Sequence, residues 1–286
     1  MEGALTAIWT RARVGVAAGT SLQAARDPIN WGRVWRTTAA MAALILAAIT
    51  VVRFEYAARY LDPGIDYDTL MGATRRFLAG GGFYPAEQLA GPWIYHQGDP
   101  AFAPPILYPP HTLLLFVPFV FLPKILWWAI PAGITAWALW RLRPHPAAWL
   151  AIVLLLGVPE SREGIFWGNP VMWMVAFEAA GFVVGWAGVL VLLKPTLAPF
   201  ALAGLPRRTW IVALAALCAV NLLAIPMWID WLTVIRNAPH LGPGFSLYQY
   251  PLMAVPLVAW LGSSGGPLMR RLDRRRATAG SRPAHG

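Results

Sequence analysis

From Thr38 to Gly262 the chain is a succession of apolar runs separated by short polar joins. The first run covers about Thr38 to Tyr56. Others lie near 111–122, 125–140, 147–158, 171–181, 183–193, 196–205, 210–229 and 251–262. Composition tells against a water-soluble home for these runs. The chain is 58% hydrophobic and 13% charged, with mean hydropathy +0.53, whereas soluble domains carry about 25% charged residues. The expected fold is therefore all-α: a polytopic integral membrane protein. Its 16 Trp suit a chain with many membrane–water boundaries.

Arginine placement predicts the orientation. Arg141 and Arg143, Arg207 and Arg208, and Arg270, Arg271, Arg274, Arg275 and Arg276 form basic clusters expected on the cytoplasmic side. They share one side only if 111–122 does not cross, so that run reads as an interfacial or re-entrant helix. About eight crossings remain, with both ends inside. The long segment 57–110, Gly157–Pro170, the neighbourhood of Lys194 and Asp230–Tyr250 then face outward, away from the cytoplasm. Residues 1–37 read as a basic cytoplasmic segment resting on membrane lipid, 38–262 as the membrane domain, and 263–286 as a basic disordered tail. The net charge of +10 is spread over these joins and ends, which marks topology rather than a nucleic-acid partner. One cysteine, Cys218, excludes a disulfide within the chain. No cleavable leader is expected, because the first apolar run starts after Arg11, Arg13, Arg26, Arg33 and Arg36.

Directly after the first run stands GIDYDTLMGATRRFLAGGGFYP, Gly64 to Pro85. From Thr69 onward Leu70, Ala73, Phe77 and Leu78 repeat at helical spacing, and Gly80, Gly81 and Gly82 end the helix. The pattern predicts a short interfacial helix with Asp68 as its N-cap. Asp66 is not needed as a cap. It neighbours Asp62 and Asp68 close to the bilayer, where like charge and partial desolvation raise a carboxylate's basicity, as a general base requires. A solvated loop acid is the alternative.

Seven prolines follow between 85 and 110, and a loop of that length is usually functional or mobile. It ends ILYPPH, with Pro110 placed to open a helix. Tyr108 is either a belt anchor or a platform for a sugar, and His111 either a structural residue or a ligand contact. The chain has two lysines. Lys124 stands at a turn. Lys194 follows GVLVLL and precedes Pro195, so it either snorkels to the boundary or grips the phosphate of a lipid phosphate. Gly168, Asn169 and Pro170 stand at a further outer boundary, where they either line the same cavity or simply form a turn, and Glu178 in its short apolar run is either a cavity residue or a sign that the run is not a true span.

In order, GIDYDTLMGATRRFLAGGGFY, LYPPHTLLLFVPFVFLP, FWGNP and GWAGVLVLLKPTLAPFALAGLPRRTW resemble the pattern of family 87 glycosyltransferases, polyprenol-phosphate-mannose-dependent mannosyltransferases of the GT-C superfamily. The resemblance covers roughly 38–230. It implies a GT-C-like bundle with a long first outer loop carrying short interfacial helices. It also implies inverting transfer of a sugar, usually mannose, from a polyprenyl-phosphate donor to a glycan or glycolipid acceptor outside the cytoplasm. Asp66 matches the family's essential acid, with Asp68 the alternate. Tyr84 follows at the family's spacing, Tyr108 lies in its aromatic-Pro-Pro element, and Lys194 in its Lys–Pro element. Asn169 stands where the family commonly has glutamine. On this reading Asp66 takes the acceptor's proton, while Lys194, helped by Arg75 or Arg76, steadies the leaving phosphate. No cofactor is implied, no metal-ligand cluster is evident, and a divalent ion on the phosphate is left open. The competing class is non-catalytic: a transporter of lipid-linked sugars, or a scaffold member of the family supporting another enzyme.

Overall fold

The computed structural model describes residues 31–60, 63–92, 105–205, 207–238 and 249–263. The expectations for residues 1–30, Asp62, residues 93–104 of the proline-rich loop, 239–248 and the tail from 264 fall outside the described residues. The chain divides into two compact units, Met1–Thr38 and Ala39–Gly286. Of the first, the described part is the opening of one long helix, α1 (Trp31–Tyr60). There Arg36 Nε and the hydroxyls of Thr37 and Thr38 donate to carbonyls four residues earlier.

The described structure is mostly helical, as expected for an all-α chain, and no strand occurs among the described residues. The helices are α1, α2 (Ile65–Leu78), α3 (Ala86–Ala90), α4 (Leu113–Phe119), α5 (Leu126–Leu142), α6 (Pro146–Gly157), α7 (Pro159–Phe166), α8 (Val171–Val184), α9 (Arg208–Leu222), α10 (Ile225–Asn237) and α11 (Tyr250–Leu261). Three 3₁₀ segments join them: Pro110–Thr112, Trp186–Leu193 and Pro195–Leu202.

Among the described residues, one helix is long and apolar enough to cross a membrane. Its window Gly32–Arg53 has 22 residues and mean hydropathy 1.7, with 11% of it buried. The run at 210–229 is not one straight span. It is α9 and α10, bent by 87° at a short break, and together they are apolar enough for a second crossing. The expected crossings at 183–193 and 196–205 are corrected. Both are 3₁₀ segments of eight residues, which at about 2.0 Å per residue extend only ~16 Å against ~30 Å of hydrocarbon. In the second segment Pro199 interrupts the α-helical ladder. At Gly188 of the first an added Cβ would run into the Ala203 carbonyl, so the two stretches touch backbone to backbone. The 111–122 run is a 3₁₀ turn plus the seven-residue α4, too short to cross, in keeping with a non-crossing helix.

The core is aromatic. Trp127 and Phe116 are wholly buried, and Tyr67, Phe119 and Trp173 pack around Trp127 with ring centroids 5.1–5.6 Å away. Burying rings of this size supplies most of the packing energy. α8 runs through this core with nearly every side chain buried, against α5, α11 and the first long 3₁₀ segment.

The expected start of α2 is also corrected. The helix begins at Ile65, not after Asp68, and its N-cap is Gly64 (φ +96°) with no side-chain cap. Asp68 is therefore not a cap. Gly168 likewise has φ +71°, and an added Cβ would lie 2.9 Å from the Trp128 ring and 3.0 Å from Tyr67 Cβ. Gly72, in the middle of α2, has nothing within 4 Å of a built Cβ. Gly168→Ala should accordingly lower stability by about 1–3 kcal/mol through strain and crowding. Gly72→Ala should be neutral or raise stability by up to ~1 kcal/mol through helix propensity. Denaturation of both purified variants in one detergent measures the contrast, and a Gly168→Ala protein as stable as the parent would contradict it.

Candidate functional site

The helix carrying the acids is docked by its first turn. A helix N-terminus leaves backbone N–H groups without intrahelical partners, and here carbonyls of the FWGNP segment accept them. Gly64 N donates to Phe166 O (3.1 Å) and Asp66 N to Trp167 O (2.9 Å). The same segment is held from its other side by two adjacent tryptophans of α5. Trp127 Nε1 donates to Gly168 O and Trp128 Nε1 to Ile165 O, each at 2.7 Å. These indole bonds went unanticipated; the only trace in the sequence is the Trp–Trp pair itself, three residues after Lys124.

Helical geometry then sends three successive side chains three ways, because each residue turns by about 100°. Tyr67 enters the core. Asp68 points outward and pairs with Lys124 Nζ at 2.7 Å, both side chains about half exposed. An exposed pair of this kind contributes ~0–1 kcal/mol. Asp66 turns toward Asn169, whose Nδ2 donates to its Oδ2 at 2.7 Å.

Asn169 is the hinge of the cluster. Its Oδ1 accepts from Val171 N (3.0 Å), at the start of α8, and from Lys194 Nζ (3.4 Å). Val171 N–H is an unambiguous donor, so the amide oxygen must face it and the amide N–H₂ must face Asp66. Lys194 Nζ also donates to the Tyr108 hydroxyl at 3.2 Å and lies 4.9 Å from that ring's centroid. Tyr108 OH reaches Asn169 Oδ1 at 3.5 Å. Four residues up to 128 positions apart in sequence, Asp66, Tyr108, Asn169 and Lys194, thus form one polar cluster.

Lys194 stands at the break between the two longer 3₁₀ segments, with extended backbone (φ −123°, ψ 90°). It is buried. Burial pushes its ammonium down to about 7, and the Asp66 carboxylate opposes that fall. Asp66 moves the other way. Burial raises its carboxyl above the usual value, against the lowering effects of the Asn169 hydrogen bond and of Lys194. Each group therefore titrates closer to neutrality than it would in water, a trait common at catalytic sites and also found in structural ion networks.

The other expected site residues take supporting places. Tyr84 is buried and its hydroxyl donates to the Tyr108 carbonyl at 2.8 Å, so it holds Tyr108 in place. His111 is buried, donates from Nε2 to Leu192 O at 2.9 Å and stacks on Trp228. It thereby ties the helix after ILYPPH to the stretch leading into Lys194. Arg76 donates to the carbonyls of Gly82 and Phe83, both at 2.8 Å, closing the glycine turn after α2. The structure does not bring Arg76 to the cluster; its guanidinium is engaged by backbone. Arg75 is exposed at the last turn of α2. Among the described residues, no three of His, Cys, Asp and Glu stand together as a metal would need.

The depressed lysine has a measurable consequence for stability. Its folded-state value, about 7, lies below the ordinary 10.5. Between those values the unfolded chain binds more protons than the folded one, so this group makes stability rise with pH across that window and costs stability below it. Relative to Lys194→Met, which carries no such group, the parent should gain stability between pH 7 and 10. Denaturation midpoints of the two proteins at matched pH values test this, and parallel pH profiles would refute a buried, depressed lysine.

Compared with protein-family models, with curated proteins and with solved structures, the chain has no significant match. Its function is therefore argued from the motifs and from the geometry of this one cluster.

Proposed function

We propose that the protein is a membrane glycosyltransferase that moves a sugar from a polyprenyl-phosphate donor to a hydroxyl of an extracytoplasmic glycan or glycolipid. The observation that carries the proposal is the bridge Asp66–Asn169–Lys194, in which one amide holds a carboxylate and an ammonium apart. Displacement at an anomeric carbon needs those two functions, and needs them separate. A base removes the proton of the attacking hydroxyl, and a fixed positive charge meets the negative charge on the leaving oxygen.

Asp66 is suited to the first role. Asn169 engages Oδ2, and Oδ1 has no hydrogen-bond partner among the described residues, which leaves it for an incoming O–H. Its raised basicity favours proton uptake. The acceptor oxygen attacks C1 as its proton passes to Oδ1, the C1–O bond to phosphate breaks, and the electron pair leaves with the polyprenyl phosphate. Lys194 is suited to the second role. Against a bound phosphodiester its ammonium gains a negative partner, which raises its affinity for the proton and keeps it charged. Tyr108 orients that ammonium through its hydroxyl and ring. Mannose is the sugar implied by the family resemblance. A lipid donor explains the greasy surroundings: its reactive carbon is tethered at the membrane edge, and the acid helix meets it there.

The transporter reading also has a specific observation in its favour. Short broken apolar segments that meet at a polar residue, as the two 3₁₀ segments do at Lys194, are a feature of transport proteins. The two readings differ on Asp66. With purified protein in lipid and a labelled polyprenyl-phosphate sugar, Asp66→Asn should reduce transfer by about 10²–10⁴-fold, the usual cost of losing a general base. Asp68→Asn loses only an exposed pair and should stay within about fivefold of the parent, matching ~0–1 kcal/mol. Parent-like transfer by Asp66→Asn would end the catalytic assignment. Donor flux across vesicles without any transfer would favour transport.

The proposed orientation puts α3 and α7 outside the cytoplasm. Glu87 and Glu163 are exposed, whereas Ser161 is fully buried and unsuited to labelling. With Cys218 replaced by Ser, Glu87→Cys and Glu163→Cys should react with an impermeant thiol reagent on intact cells, and Arg208→Cys should react only after lysis. The reverse pattern would place the cluster in the cytoplasm and remove a polyprenyl-linked outer acceptor from consideration.

A further inference from the structure

Seven residues beyond Val171, about 10 Å along α8, stands a carboxyl group the proposed reaction does not use. Glu178 is 1% exposed, and its Oε2 has no hydrogen-bond partner among the described residues. It lines a cavity of about 440 Å³ together with Phe182, Phe200, Arg207, Leu257 and Trp260. None of these belongs to the Asp66 cluster. The volume lies within the ~300–1,000 Å³ typical of small-molecule sites.

The lining has three chemical parts. Phe182 is one helical turn after Glu178, on the same face, and stacks on Trp260 with centroids 4.9 Å apart and planes 10° from parallel. Those rings and Leu257 make an apolar wall. Arg207 donates to Val183 O at 2.7 Å and Phe182 O at 3.4 Å, which leaves most of the five N–H donors of a guanidinium unspent. Glu178 and Arg207 line the same cavity without pairing: among the described residues the one recorded ion pair between side chains is Lys124–Asp68. An acid enclosed in apolar surroundings without a donor is costly. The chain supplies none of the described residues as its partner, so the cavity is set up for a ligand that brings one.

The geometry points to a second binding site, between α8, the Pro195–Leu202 segment and α11, for a primary ammonium carried on a phosphate ester. The ammonium donates to Glu178, the phosphate accepts from Arg207, and any hydrocarbon follows the aromatic wall. A carboxyl group without a partner accepts a hydrogen bond, which a primary ammonium offers and a trimethylammonium does not. The faces that would cage such a cation are turned on one another in the Phe182–Trp260 stack. This chemistry occurs in the headgroup of phosphatidylethanolamine and in free phosphoethanolamine.

The test uses the full-length protein in detergent and follows its thermal midpoint during titration with three probes. These are phosphatidylethanolamine, phosphatidylcholine with the same chains, and soluble phosphoethanolamine. Phosphatidylethanolamine should raise the midpoint in a saturable way and phosphatidylcholine should not. A shift with phosphoethanolamine alone identifies a soluble ligand; a shift that needs the chains identifies the lipid. Glu178→Gln should weaken the apparent affinity about tenfold or more, consistent with loss of a charged hydrogen bond. Leu257→Trp, which narrows the cavity from its apolar wall and leaves Glu178 and Arg207 in place, should weaken the response and serves if Glu178→Gln fails to fold. Asp66→Asn should respond as the parent does, which keeps this site separate from the transfer reaction. Equal responses to the two lipids, no response to any probe, or a parent-like response in both cavity variants would overturn the proposal.

Discussion

The local structure at the cluster depends on where the first turn of α2 finds partners for its backbone. That turn could not sit in an apolar surrounding with bare N–H groups, each worth ~1–3 kcal/mol if left unsatisfied. The carbonyls of Phe166 and Trp167 meet this demand, and they are presentable only because Gly168 takes a left-handed conformation and two indoles hold the segment from behind. One docking event therefore sets the register of α2. The register in turn decides which of three neighbouring side chains reaches Asn169, which enters the core and which meets solvent.

The same segment leads into α8, and Asn169 joins the two. Its oxygen accepts from Val171 N–H at the start of α8 while its nitrogen holds Asp66. A buried lysine would ordinarily be expensive. Here Lys194 is given an amide oxygen, a hydroxyl and an aromatic face, with a carboxylate beyond the amide. The cost that remains appears as a lysine that gives up its proton near neutrality. A group poised in that way responds strongly to an arriving phosphate, which links the local energetics to the chemistry proposed.

α8 carries polar groups at two levels. Near its first residue is the Asp66 cluster, whose members are joined by hydrogen bonds while Asp66 Oδ1 stays open; two turns on is Glu178, whose Oε2 has no partner among the described residues, beside a cavity of its own. Both depend on the 3₁₀ segments after α8. Their tight winding and glycine-mediated contact bring Lys194 to one level and form part of the cavity wall at the other.

Much of the cluster was legible before any coordinates. Asp66, Tyr108, Asn169 and Lys194 each stand out because a polar residue beside apolar runs is costly and therefore informative. The helical class followed from the length and continuity of the apolar runs. Other features were not legible, because they depend on contacts between distant segments. Asp68 was assigned as a cap from local spacing, but the helix starts earlier, at Gly64, where the FWGNP carbonyls receive its N–H groups. Arg75 or Arg76 is expected to help at the phosphate, but the carbonyls of the glycine turn engage Arg76 instead. Two expected crossings became 3₁₀ segments because hydropathy records how apolar a run is and not how it winds. The sequence by itself determined which residues are too costly to place without a purpose. Only the tertiary structure decided which of them meet, since hydrogen-bond partners 25 to 103 residues apart are chosen by packing and not by spacing.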